Sequence, residues 1–181
     1  MLGRQWQSRT AAGLVLSVAL SATLEAQFVT REEALAAVFP DAEVEAERVF
    51  LTEDQMHRAA ELAGGDPPSA LVARYLAREG GAVVGRAYVE THVVRTKRES
   101  LLISLDASGT VRRIDVTAFL EPPEYVASER WLDQYAGRPL SQDLALGREI
   151  RPIAGGTLTA IAANGAVRRV LAIDHVLEAD R

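Results

Sequence analysis

The chain has 181 residues, 48% hydrophobic and 25% charged, an ordinary globular composition that is too short for two comfortable domains. Its formal net charge of -5 comes without a cluster of Lys and Arg of the kind that displaces counterions from phosphate, so neither DNA nor any other nucleic acid is expected as a partner. Cysteine is absent, which excludes disulfides, thiolate zinc sites, iron–sulfur clusters and thioether-attached haem, and leaves redox chemistry to an organic cofactor or a metal without sulfur ligands.

The N-terminus reads as an address. Arg4 and Arg9 form a positive region, the uncharged stretch 10–24 is rich in Leu, Val and Ala, and the small residues Ala22 and Ala26 offer cleavage positions. A secretory signal peptide over 1–26 is expected, followed by one domain over 27–181 that is exported to a periplasmic or other extracytoplasmic location. The rival is an uncleaved anchor, but the apolar run is shorter than the roughly 20 residues that span a bilayer.

Thr30-Arg31-Glu32-Glu33 fits a capping box, and Ala34, Leu35 and Val38 supply the apolar face of a short helix that stops at Pro40. Thr52-Glu53-Asp54-Gln55 repeats the device and predicts a helix to about Leu62, ended by Gly64-Gly65-Asp66-Pro67-Pro68. The two segments predict a small helical cap ahead of the sheet. Strand patterns follow at 71–78, 81–94, 100–106 and 111–119, with connections short enough for hairpins, so a twisted antiparallel meander is expected. Residues 128–135 predict a helix with Trp131, Leu132 and Tyr135 on one side, ending at Gly137. A last helix is predicted over 158–177. Ala163, Ala166, Val167, Val170, Ile173 and Leu177 share one of its faces and Asn164, Arg168 and His175 another, so it should pack on the sheet by one side only. The fold class is α+β, a twisted antiparallel sheet with N-terminal helices and a C-terminal helix packed on it.

The segment Pro152-Ile153-Ala154-Gly155-Gly156-Thr157-Leu158-Thr159 lies where a loop meets this last helix. Adjacent glycines let the backbone approach a ligand closely, and free N–H groups at a helix start stabilise an anion there. The alternative is a tight turn in which Thr157 or Thr159 acts only as an N-cap. Elsewhere, His92 and Arg95 lie at the end of a strand, either near a bound group or as a strand histidine and a solvated turn arginine. His57, His92 and His175 fall on different elements without metal-ligand spacing. Glu121 and Glu124 flank two prolines that stiffen their loop, and no nucleophile or base partner accompanies them.

Ala154-Gly155-Gly156-Thr157-Leu158-Thr159 resembles the Ser-Gly-Ala-Thr-x-Thr signature of the FMN-binding domain family, known from peripheral subunits of the sodium-translocating NADH:quinone reductase and the Rnf electron-transport complex. Glu121-Pro122-Pro123-Glu124-Tyr125 and the segment 128–138 resemble that family's Glu-x-Pro loop and following helix, and 88–99 resembles the strand pair before them. The resemblance spans roughly 30–177. It implies FMN joined through its phosphate to Thr157 by a Mg²⁺-dependent flavin transferase, a covalent flavin carried by an exported flavoprotein. It also implies that Glu121, Pro123 and Tyr125 lie beside the isoalloxazine ring, while Gly155, Gly156, Leu158 and Thr159 line the phosphate and ribityl end. His92 joins the flavin-binding candidates as a polar group near the ring. The chain has Arg151, Ala154 and Gly156 where the family has an acidic residue, Ser and Ala. Arg151 is then a candidate to pair with the phosphate and hold FMN without a bond. The function implied is electron transport between membrane-bound and extracytoplasmic redox proteins, not independent catalysis; the alternative is a non-redox binding or assembly module that keeps the fold without covalent flavin.

Overall fold

A computed structural model describes residues 28–181; the expected signal peptide lies outside the described residues. The first capping box forms as predicted. The Thr30 hydroxyl accepts from the Glu33 N–H and the Glu33 carboxylate accepts from the Thr30 N–H, opening helix α1, Arg31–Val38. Thr52 and Gln55 repeat the exchange at the start of α2, Glu53–Ala63, and Gly64 closes α2 in the left-handed conformation, φ 69°.

Between these helices the chain forms a strand that the sequence reading missed, β1, Glu43–Phe50. The sheet continues with β2, Leu71–Glu79, β3, Ala82–Val93, β4, Arg98–Asp106, and β5, Val111–Phe119. All neighbours are antiparallel in the order β1-β2-β3-β4-β5. The expected meander is therefore present with one more strand, and the helical cap is corrected: α1 and α2 lie on opposite faces of the sheet. Side chains alternate between the faces. Ala77, Ala87 and Leu102 meet Leu35, Val38 and Phe39 of α1. Tyr88, Leu101, Ile103 and Leu105 pack on the other side, where the core is completed by α2 and by α4, Thr157–Ala179.

The helix expected over 128–135 forms as two short pieces, an α-helical turn, α3, Glu129–Leu132, and a 3₁₀ turn, Asp133–Tyr135. The expectation that α4 packs by one side only is also corrected. Residues 136–156 contain no regular strand or helix, yet Leu144 and Ile150 are fully buried and press this segment onto the supposedly polar side of α4. The Asn164 amide donates to the Tyr135 hydroxyl at 3.0 Å, and the Arg168 guanidinium donates to the Ala63 and Ser141 carbonyls at 2.8 and 2.7 Å. Those polar groups face protein carbonyls and hydroxyls instead of water, so a helix that reads as half polar is a central one. Among the described residues no helix is long and apolar enough to cross a membrane.

Candidate functional site

The glycine loop places its residues at the N-terminus of α4. Gly155 has φ 77°, a left-handed conformation that glycine adopts without cost. At Gly156 an added Cβ would come within 2.8 Å of the Ile153 side chain, so the turn is tight at that position too. Gly156 is itself the N-cap and supplies no side-chain acceptor, and the first turn of the 23-residue helix carries no acidic residue. Neither threonine is an N-cap, which removes the plain capping alternative. Thr157 is the first helical residue and is exposed. Thr159 is 1% exposed, and its hydroxyl donates to the Tyr125 carbonyl at 2.7 Å, tying the Pro123–Tyr125 3₁₀ turn to α4.

A cavity of about 240 Å³ opens beside this turn, lined by Gly155 to Thr159, Glu121, Tyr125, Val94 and Arg95. Three distant stretches of sequence thus meet: the β3–β4 hairpin, the proline loop and the start of α4. The hairpin is fixed to the loop by Glu121, whose carboxylate accepts from the Thr96 and Lys97 N–H groups at 2.7 and 2.8 Å. Those backbone donors hold its carboxyl below the usual range. Arg95 stacks over the Tyr125 ring, 5.6 Å from its centroid. The cavity therefore combines free N–H groups at a helix start, a guanidinium, an exposed hydroxyl and an aromatic ring. That set suits an anion attached to a planar body. Enclosing clefts for drug-sized ligands run to roughly 300–1,000 Å³, so a flavin would be held here by one end.

The other sequence-predicted residues lie elsewhere. Pro123 begins its 3₁₀ turn, is exposed and does not line the cavity. Arg151 does not line the cavity either; its backbone N–H donates to the Gln134 side chain at 3.0 Å and its carbonyl accepts from the Trp131 indole at 2.7 Å. The cation at the cavity is Arg95, brought there by the hairpin.

His92 lines a different cavity of about 520 Å³ between β3, the start of β2 and α4. Its Nδ1 lies 2.6 Å from Glu90 and its Nε2 2.9 Å from Glu99, while Arg169 donates to Glu90 at 3.0 Å. Burial alone would lower the imidazole, but the hydrogen bonds and charges of Glu90 and Glu99 outweigh it and raise His92 to about 9. His92 is thus a half-buried imidazolium clamped by two carboxylates. It is a strand histidine of intermediate exposure, as one of the two readings had it, but neither reading included its two carboxylate partners. The signal was in the register: Glu90 and His92 share a face, and Glu99 sits opposite His92 on β4.

A second charged group was also missed. Arg86 and Asp174 are 4% and 2% exposed and pair in fork geometry at 2.5 and 2.9 Å, with the Tyr88 hydroxyl donating to the same carboxylate at 2.7 Å. It joins β3 to α4 and plays a packing role. Among the described residues no group of three His, Asp or Glu side chains is arranged to hold a metal ion.

Compared with known proteins, the chain matches no family model, no curated sequence and no solved structure.

Proposed function

We propose that the chain is an exported electron-transfer protein that carries FMN at the start of α4, attached by a flavin transferase that breaks the pyrophosphate bond of a flavin dinucleotide, joins the FMN phosphate to the Thr157 oxygen as that hydroxyl loses its proton, and releases a nucleoside monophosphate. The observation that carries this reading is convergence: Glu121, Tyr125 and the Gly155–Thr159 stretch, singled out from sequence on separate segments, line one cavity. Bound FMN would supply reversible one- and two-electron chemistry. The chain's own residues have simpler tasks. Gly155 and Gly156 let the phosphate approach the backbone, and the unfilled N–H groups of α4 stabilise it. Arg95 adds a positive charge, and the exposed Thr157 oxygen is the attachment point. Tyr125 offers an aromatic face to the ring, while Glu121 keeps the hairpin at its distance. The electron donors and acceptors in this reading are membrane-bound and extracytoplasmic redox proteins.

The alternative, a binding or assembly module without covalent flavin, is favoured by two observations. Arg151 does not line the cavity, and both glycines already have a local reason in the turn. Mass spectrometry of the exported chain, made alongside the transferase, separates the two. A mass increase equal to an FMN phosphoester, yellow colour that survives denaturing electrophoresis, and loss of both in Thr157→Ala are expected. The bare mature mass in properly exported material would overturn covalent attachment, and failure to bind added FMN would overturn the flavin altogether.

A further inference from the structure

Helix α1 has only eight residues and covers one end of its sheet face, where Leu35, Val38 and Phe39 meet Ala77, Ala87 and Leu102. The strands continue well beyond it. Alternation from these covered positions puts Arg48 and Phe50 of β1, Leu71 and Ala73 of β2, Thr91 and Val93 of β3, and Arg98 and Ser100 of β4 on the same side. Leu120 joins them, since its N–H donates to the Arg98 carbonyl. This open half carries four of the five largest apolar exposures among the described residues: Phe50 at 71%, Val93 and Leu120 at 57% and Leu71 at 50%. A grouped apolar surface on a sheet face signals contact with something else.

Charge selects the contact. The whole chain has a net charge of -5, but the uncompensated charges on this half are positive. Arg48 and Arg98 are exposed on it, and Lys97 is exposed at the adjoining hairpin tip. No side-chain nitrogen of the three lies within 4 Å of a carboxylate among the described residues, the Glu121 carboxylate at the hairpin tip being engaged by backbone N–H groups. Asp115, the carboxylate that β5 turns to this side, is already paired with Arg113 at 2.5 Å. The acidic residues of β1 alternate away, Glu47 reaching towards Arg74 on the opposite face. The complementary surface is anionic with an apolar interior. The open face carries Phe, Leu and Val but no Trp, and its single Tyr, Tyr75, is engaged with Arg31 beside α1. Protein contacts, by contrast, are anchored mostly by Trp, Tyr and Arg. Aliphatic and Phe side chains flanked by Arg and Lys match the boundary of an anionic bilayer.

We infer that the half of the sheet face left open by α1 is a docking surface for anionic phospholipid membranes. Phe50, Leu71, Val93 and Leu120 enter the headgroup boundary, and Arg48, Lys97 and Arg98 contact the lipid phosphates. This surface does not depend on the flavin reading, because none of these residues lines the cavity at the start of α4.

The test is co-sedimentation of the full chain with phosphatidylcholine vesicles and with mixed phosphatidylcholine–phosphatidylglycerol vesicles. Binding to the mixed vesicles, weakened by salt, is expected. Arg48→Gln and Arg98→Gln should each lower the partition coefficient about fivefold, the factor for about 1 kcal/mol per surface cation, with an unchanged circular dichroism spectrum. Because the chain has no cysteine, Phe50→Cys and Glu61→Cys can each be labelled with a polarity-sensitive dye. The dye at position 50 should shift to the blue on the mixed vesicles and the one at position 61, on α2, should not. Equal binding to neutral vesicles, arginine variants that bind like the parent, or equal dye responses at the two positions would overturn the inference. Self-association in ultracentrifugation that shields position 50 without vesicles would assign the face to a second copy, and capture of an acidic protein in place of vesicles would assign it to a protein partner.

Discussion

His92 should make this protein more stable in mild acid than in mild alkali, and the size of the effect follows from its surroundings. The imidazolium stands between Glu90 and Glu99, and Glu99 is fully buried with its second oxygen unpartnered. Folding raises His92 from an ordinary 6.5 to about 9. A group raised on folding contributes stability that is complete below its unfolded value and is lost as pH climbs through its folded value, here between 6.5 and about 9. At roughly 1.4 kcal/mol per tenfold change, and with partial screening of the pair by solvent, the contribution is about 1–3 kcal/mol. Replacing His92 by Gln removes the charge while keeping a polar side chain. Urea unfolding at about pH 6 and about pH 9.5 would compare the two proteins, with the variant subtracting every other titrating group. The parent should exceed His92→Gln by the stated amount in acid and by much less in alkali. A stability difference that stays constant across this range would mean that the imidazole is neutral in the folded protein and that the carboxylate clamp is misread.

Asp174→Ala leaves the Arg86 guanidinium buried without its partner and removes the acceptor of the Tyr88 hydroxyl. A loss of about 3–5 kcal/mol is expected in chemical denaturation, and a loss below about 1 kcal/mol would show that water reaches the pair. Gly85→Ala puts a Cβ against the Phe39 ring and within 2.7 Å of the Leu105 carbonyl. It should cost about 1–3 kcal/mol by overpacking, and Phe39→Leu in the same chain should recover part of that loss; a neutral Gly85→Ala would contradict the tight approach of α1 to β3.

Local signals carried much of this fold because the chain obeys them. Thr30 with Glu33 and Thr52 with Gln55 start helices where capping chemistry requires, and the alternating runs of β2 to β5 pair in consecutive hairpins. β1 escaped notice because Glu-Val-Glu-Ala-Glu-Arg-Val-Phe is charged at half its positions, a composition poor in strand propensity. It is an edge strand, where charge discourages pairing with other chains, so the feature that hid it has a physical purpose. The candidate site was legible where its residues adjoin the glycine loop. The cation was harder. Arg151 is close in sequence but does not line the cavity, its backbone being held by Trp131 and Gln134, whereas Arg95 arrives through a hairpin whose tip is fixed by Glu121. His92 was misjudged for the same reason, because its partner Glu99 becomes visible only when β3 and β4 are placed in register.

The position of α4 bears on the order in which the molecule can be assembled. Ala163, Ala166, Val167, Val170 and Ile173 fill the interior on one side of the sheet, and they follow all five strands in the chain. Until α4 has emerged, strands β1 to β5 lack the main cover for their larger apolar side, and Arg86 lacks its Asp174 counter-ion. A nascent chain halted ahead of Thr157 is consequently a target for chaperones and proteases, and commitment to the native state waits on α4.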